Sequence, residues 1–136
     1  MPYDLKDHTA DVAVEATGDS LGGTFAAVAD GMAAAMCETV PADGSRFEVQ
    51  VTAEGREALL FDYLDELIYE RDVRGVLPVD NEGTVRETDA NWEFTGSYRG
   101  VPLEAVSARD LKAVTYADMD ISRTDGGWHA YVVFDV

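Results

Sequence analysis

With 136 residues, 46% of them hydrophobic and 27% charged, the chain has the size and composition of one globular domain. That excludes extended disorder, and apolar runs only a few residues long exclude a transmembrane helix. The net charge of −17, from 27 acids against 10 bases, speaks against direct binding to a phosphate backbone, which needs clustered Lys and Arg.

A chain of this length folds to a surface of ~7,000 Å² from ~21,000 Å² unfolded, enough burial for a core without disulfide or metal. Cys37 is the single cysteine, so neither an internal disulfide nor a Cys-based zinc cage is expected. Met1-Pro2-Tyr3-Asp4 lacks the basic and apolar regions of a signal peptide, and the expectation is a cytoplasmic protein. The charge is skewed in type: Lys6 and Lys112 are the two lysines against eight arginines, and Asp outnumbers Glu 16 to 11. The acids are scattered over the chain. Such a surface repels itself at ordinary salt and is screened at ~1 M, where the Debye length falls to ~3 Å. The composition suits a salt-accumulating, halophilic cytoplasm; the alternative is an ordinary acidic domain.

Asp11 to Thr17 alternates, with Val12, Val14 and Ala16 on one face, and reads as a strand. Gly18-Asp19-Ser20 is a turn with Ser20 placed to cap a helix. Leu21, Phe25, Val28, Met32 and Met36 recur at helical spacing, giving a helix over 20–37 despite Gly22, Gly23 and Gly31. Residues 41–45 form a loop, and Phe47, Val49 and Val51 a second strand. Leu60, Tyr63, Leu64, Leu67 and Ile68 mark a second helix over 56–72, with Asp62, Glu66 and Glu70 on its other face. Gly75 and Pro78 bracket a short extended piece at 76–79, and Asn81-Glu82-Gly83 reads as a turn. Trp92, Phe94 and Tyr98 share one side of a further strand, and Val114 and Tyr116 are in phase in another within 111–121. Asp125-Gly126-Gly127 is a hairpin turn before a last strand whose face is Trp128, Ala130, Val132 and Phe134. The order β-α-β-α followed by strands predicts an α+β fold, two helices packed on a mostly antiparallel sheet in a single domain over 1–136.

Three places could carry chemistry. Asp7-His8-Thr9-Ala10-Asp11 holds two carboxylates, an imidazole and a hydroxyl just before a strand; it could bind a hard cation or do acid–base work, or be a polar turn bonded to itself. At the other end, Asp135 is followed by Val136 and its α-carboxylate. If the first and last strands are neighbours, Asp11, Asp135 and Val136 could meet, and crowded carboxylates repel unless a cation joins them. Oxygen ligands in irregular geometry favour calcium over magnesium; the alternative is a frayed tail. Lys112, one of two lysines, either has a task or is a surface residue at a strand start. Cys37 continues the apolar face of the first helix and reads as core. His129 shares a strand face with Tyr131 and Asp135; it could approach the carboxylate cluster or be a surface side chain, and reads as the latter. There is no P-loop, GxGxxG, GxSxG, HExxH or EF-hand loop.

Taken together, Asp7-His8-Thr9-Ala10-Asp11-Val12, Gly18-Asp19-Ser20-Leu21 with Phe25, Leu59-Leu60 with Leu64, Glu66 and Leu67, Lys112-Ala113-Val114-Thr115-Tyr116 and Asp135-Val136 resemble the archease family over essentially the whole chain. Gly22-Gly23 departs from that pattern, where acids are usual. The resemblance implies a non-catalytic protein that assists the RtcB-type RNA ligase in tRNA splicing, promoting ligase guanylylation and repeated turnover, with tRNA met only through the ligase. It also implies calcium bound by Asp11, Asp135 and Val136, and a ligase-activation surface that includes Asp7, His8, Asp19 and Lys112. The competing readings are a small metal-dependent hydrolase using His8 and the carboxylates, and a general chaperone or modulator of RNA-modifying enzymes. The hydrolase needs a general base and an open metal position, and the sequence offers no second histidine close to His8.

The charge alone generates a first prediction. Lowering KCl from molar to ~0.1 M lengthens the Debye length to ~10 Å, so the melting temperature followed by circular dichroism should fall. An unchanged melting curve would remove the halophilic reading.

Overall fold

Alternating apolar residues and two helical repeats build an α+β fold in which every strand pairing is antiparallel. The computed structural model describes residues 3–7 and 11–136. The elements are β1 (Tyr3–Asp7), β2 (Asp11–Gly18), α1 (Leu21–Met36), β3 (Ser45–Ala53), α2 (Arg56–Arg74), β4 (Val76–Glu87), β5 (Trp92–Pro102), a 3-10 turn (Leu103–Ala105), β6 (Ala113–Thr124) and β7 (Gly127–Asp135). The expected helices on antiparallel strands are present, with the strands divided between two sheets ordered β1-β2-β7-β6 and β3-β5-β4. α1 packs on β1, β2 and β7 of the first sheet and β4 of the second; α2 packs on β6 of the first and β3, β4 and β5 of the second.

Each helix therefore fastens the sheets together, and the buried side chains of all layers form one cluster. Phe94 of β5 lies at its centre. Its ring stacks 6.3 Å from Phe25 of α1 and tilts against Tyr63 of α2 at 4.0 Å. The helix ends obey local chemistry. Ser20 Oγ accepts the Gly23 N–H at 3.0 Å, satisfying one of the amides left open at a helix start. Gly75, at φ 67°, closes α2 in the left-handed conformation by donating its N–H to Arg71 O. Gly22 and Gly31 stand inside α1 at a propensity cost of about 1 kcal/mol each, and close packing explains them. A Cβ on Gly22 would meet Gly83 O and Thr84 Cα of β4, and one on Gly31 would meet Val14 of β2.

Three segments differ from expectation. Tyr3–Asp7 forms an edge strand that the short polar N-terminal segment did not announce. The extended piece at 76–79 continues to Glu87, and Asn81-Glu82-Gly83 lies within the strand rather than forming a turn. The turn-like composition marks a β-bulge: the pairing with β5 shifts register between Val79 and Glu82, Asp80 takes φ 48°, and Asn81 turns inward. There Asp30 Oδ1 of α1 accepts both the Asn81 backbone N–H and Nδ2–H, at 3.0 and 2.9 Å. Burial raises the Asp30 carboxyl above its ordinary range, and the Asn81 bonds oppose that shift. β6 also departs from regular pairing between Thr115 and Asp120, with Asp118 at φ 60°.

Because Phe94 touches rings from both helices, Phe94→Ala should remove about 3–5 kcal/mol of stability. Urea unfolding at constant molar KCl measures this, and a loss below 1 kcal/mol would show that the ring is not the joint between layers.

Candidate functional site

Strand pairing brings the two ends of the described chain together. β2 runs antiparallel beside β7 in unbroken register from Asp11 opposite Asp135 to Gly18 opposite Trp128. The apolar residues Val12, Val14 and Ala16, with Phe134, Val132 and Ala130, all buried, hold this register from the core face. Asp11 and Asp135 fall on the opposite phase of the pleat, directly across from each other, where Cα atoms stand about 4.5–5.5 Å apart. Like charges in that position destabilise a sheet. Asp11 is half-buried with its Oδ1 shielded from solvent, whereas Asp135 is exposed. Val136, next in the chain after Asp135, packs its side chain partly against the core.

Lys112 reaches the same end of the sheet by its backbone. Its N–H donates to Asp135 O at 2.8 Å, just before β6 pairs with β7 at Ala113 opposite Asp135. The segment leading to it is fastened from three sides. Arg109 N–H donates to Met36 O at the end of α1. Arg71 of α2, buried, donates Nη1–H to Leu111 O at 2.8 Å, and its Nη2 lies 3.8 Å from Asp110. Sequence reasoning missed Arg71. The signal was its position: with Leu60, Leu64, Leu67 and Ile68 it continues the apolar stripe of α2, where an arginine needs a buried acceptor.

The remaining candidates separate. Asp7 ends β1 as the partner of Val12, one register position from Asp11. His8 lies outside the described residues. Asp19 follows Gly18, which closes β2 about 23 Å from Asp11 at strand rise, so the fold does not bring Asp19 to Lys112 and Asp135. His129 is engaged elsewhere: its Nε2 lies 2.9 Å from Glu15 and its Nδ1 3.7 Å from Asp120. Cys37 is buried and points its thiol at Thr39 O, as expected of a core residue.

Asp11 and Asp135 offer carboxylate oxygens and Val136 main-chain oxygen, a donor set that suits a hard divalent cation such as calcium. Among the described residues no three His, Cys, Asp or Glu side chains converge on one point. A cation at this end would therefore need main-chain oxygen from Val136 beside the two carboxylates. Among the described residues no helix is long and apolar enough to cross a membrane.

Comparison with known proteins gives matches over nearly the full length of the chain. The model of the archease protein family (MTH1598/TM1083) matches residues 3–136. Protein archease of Pyrococcus abyssi is 31% identical over 135 residues, covering 96% of this chain and 95% of that protein. Protein archease of Methanosarcina barkeri is 32% identical over 143 residues, covering 98% and 95%. The solution structure of Methanobacterium thermoautotrophicum protein 1598 superposes with a TM-score of 0.84 at 32% identity, covering 99% of each chain. A crystal structure of an archease from Thermotoga maritima, described as a possible chaperone, shares the fold with a TM-score of 0.66 at 22% identity, covering 98% of this chain and 96% of that one. With a family model matching residues 3–136 and relatives about 30% identical over nearly their whole length, the chain belongs to the archease family.

Proposed function

We propose that this protein is a non-catalytic, cytoplasmic activator of an RtcB-type tRNA-splicing RNA ligase, promoting ligase guanylylation and multiple turnover in exon ligation. Family membership motivates the reading, and the observation that carries it is the meeting of Asp11, Asp135 and the Lys112 backbone at one end of the sheet. Asp7 at the end of β1 borders this place. Asp11, Asp135 and Val136 would hold calcium there. The ion would offset the repulsion of facing carboxylates and join β2 to the chain segment after β7. What the protein's own residues contribute is a fixed surface: Arg71 and Arg109 set the path of residues 109–112, so that Lys112 is presented beside the carboxylates.

Asp19, a strand's length away, would contribute from a separate patch. The hydrolase alternative lacks support at this end, because the described histidine, His129, is engaged by Glu15 and Asp120 on the outer face. A general chaperone of RNA-modifying enzymes differs in scope and is separated by experiment.

Two measurements test the proposal. Calcium should raise the melting temperature of the wild-type protein by mass action, on the order of 2.7 kcal/mol of stability at 100 times Kd. Asp11→Asn should abolish that shift while leaving the calcium-free protein no less stable, since it removes one of two facing charges. A calcium shift that persists in Asp11→Asn and Asp135→Asn would discard the metal assignment.

For the activity, the purified ligase is guanylylated in molar KCl with and without this protein. Stimulation by the protein, with no turnover by the protein alone and no tRNA gel shift at submicromolar concentration without the ligase, is the expected outcome. Equal stimulation of an unrelated RNA methyltransferase would favour the general chaperone, and no stimulation of the ligase would end the proposal.

A further inference from the structure

Away from the carboxylate end, one face of the molecule carries apolar side chains that no other element covers. Among the described residues four large apolar side chains are well exposed, and three of them, Tyr69 at 59%, Val73 at 64% and Tyr116 at 54%, belong to α2 and β6. On α2, Phe61, Asp65, Tyr69 and Val73 follow one another at i, i+4 spacing and so lie along a single stripe about 18 Å long. β6 joins it at one end: the Tyr116 ring stacks on Phe61 with centroids 4.1 Å apart and planes 7° from parallel. At the other end, Val73 follows Asp72, whose carboxylate accepts from Arg71, the residue that fastens the segment before Lys112. Exposed apolar side chains gathered along one helix face suit an interaction site, and Tyr is enriched among the residues that dominate such contacts.

The charges on this face decide its occupant. Asp65 interrupts the stripe, Asp62 is close enough to Tyr116 to act on its hydroxyl, and both are exposed. The neighbouring arginines of α2 are occupied: Arg71 is buried against Leu111 O, and Arg74 is bound to Glu70 and lies over the Phe47 ring. A second copy of this chain would bring the same acids against one another, and a nucleic acid would meet them with its phosphates; both are opposed. A protein segment with aliphatic or aromatic side chains flanked by Lys or Arg is complementary in both respects.

We infer that the stripe Phe61–Tyr69–Val73 with Tyr116 is the docking surface for such a basic-flanked apolar segment of the ligase. This rests on the function proposed above and adds a division of labour: the stripe supplies affinity, and the Lys112–Asp135 end supplies activation. Tyr116 stands four residues after Lys112 on the same chain segment, so a partner seated on the stripe would be brought toward the carboxylate end.

The test titrates purified RtcB-type ligase with wild-type protein, with Tyr69→Ala/Val73→Ala, and with Asp62→Lys/Asp65→Lys, each checked for native circular dichroism. Guanylylation is read at the lowest salt that preserves the fold. Both variants should raise the concentration giving half-maximal stimulation by tenfold or more, while the maximal stimulation at saturation stays at the wild-type level. Thr52→Asp, on the exposed edge of β3, should match wild type. An unchanged half-saturation in the two stripe variants alongside a stimulating wild type would overturn the docking surface and leave the activator reading standing. Absence of both binding and stimulation by the wild type would overturn both. A wild-type dimer in sedimentation that Tyr69→Ala/Val73→Ala turns into monomer would assign the stripe to a second copy instead.

Discussion

The antiparallel pairing of β2 with β7 is the constraint on which the rest of the structure depends. It joins residues from nearly opposite ends of the sequence, so its closure comes at a loop-entropy cost that only the assembled core offsets. Its register is fixed by burial of alternate residues. A slip of one position would put Asp11 into the core and Val12 into solvent. The facing of Asp11 and Asp135 is thus a consequence of how Val12, Val14, Ala16, Val132 and Phe134 pack, and the carboxylate end forms only where β7 lies beside β2.

The helices serve that arrangement from behind. α2 is amphipathic in the ordinary way for most of its length, with Leu60, Leu64 and Leu67 in the core. Near its end the stripe gives way to Arg71, which exchanges apolar contact for a carbonyl of the segment before Lys112. α1 contributes through its last carbonyls, at Met36. Lys112 is therefore placed by two helices and by β7 at once. That is a more rigid support than a loop residue beside a strand usually has.

Much of this was legible in the residues. Alternation along 11–17 and helical spacing at 21–36 and 60–68 are strong local signals, and the strand assignments at both ends made the meeting of Asp11 with Asp135 an expectation. Other features were hidden for physical reasons. Asn81-Glu82-Gly83 has the composition of a turn because a bulge uses the same chemistry of left-handed backbone and inward side-chain bonding; the partner, Asp30, lies far off in sequence. The edge strand at Tyr3–Asp7 is five residues long, too short a run for its alternation to stand out. The division into two sheets is decided by which strands share hydrogen bonds across long gaps, and alternation within a strand carries no record of its neighbours. Arg71 shows the limit from the other direction, since its position on the apolar face was visible but its acceptor was not.

The irregular course of β6 has a bearing on colloidal behaviour. β6 is a margin of the four-stranded sheet, and a long, straight margin with open amide groups invites another chain to add to it. In dilute salt the mutual repulsion of −17 charges keeps copies apart, but at molar ionic strength that protection shrinks to a few ångströms. A safeguard of shape survives screening where one of charge does not. The departure from regular pairing between Thr115 and Asp120, with Asp118 in the left-handed region, breaks the run of evenly spaced donors and acceptors that a stacking strand would need. The same kink that spoils the periodicity of β6 thus guards this edge at any ionic strength.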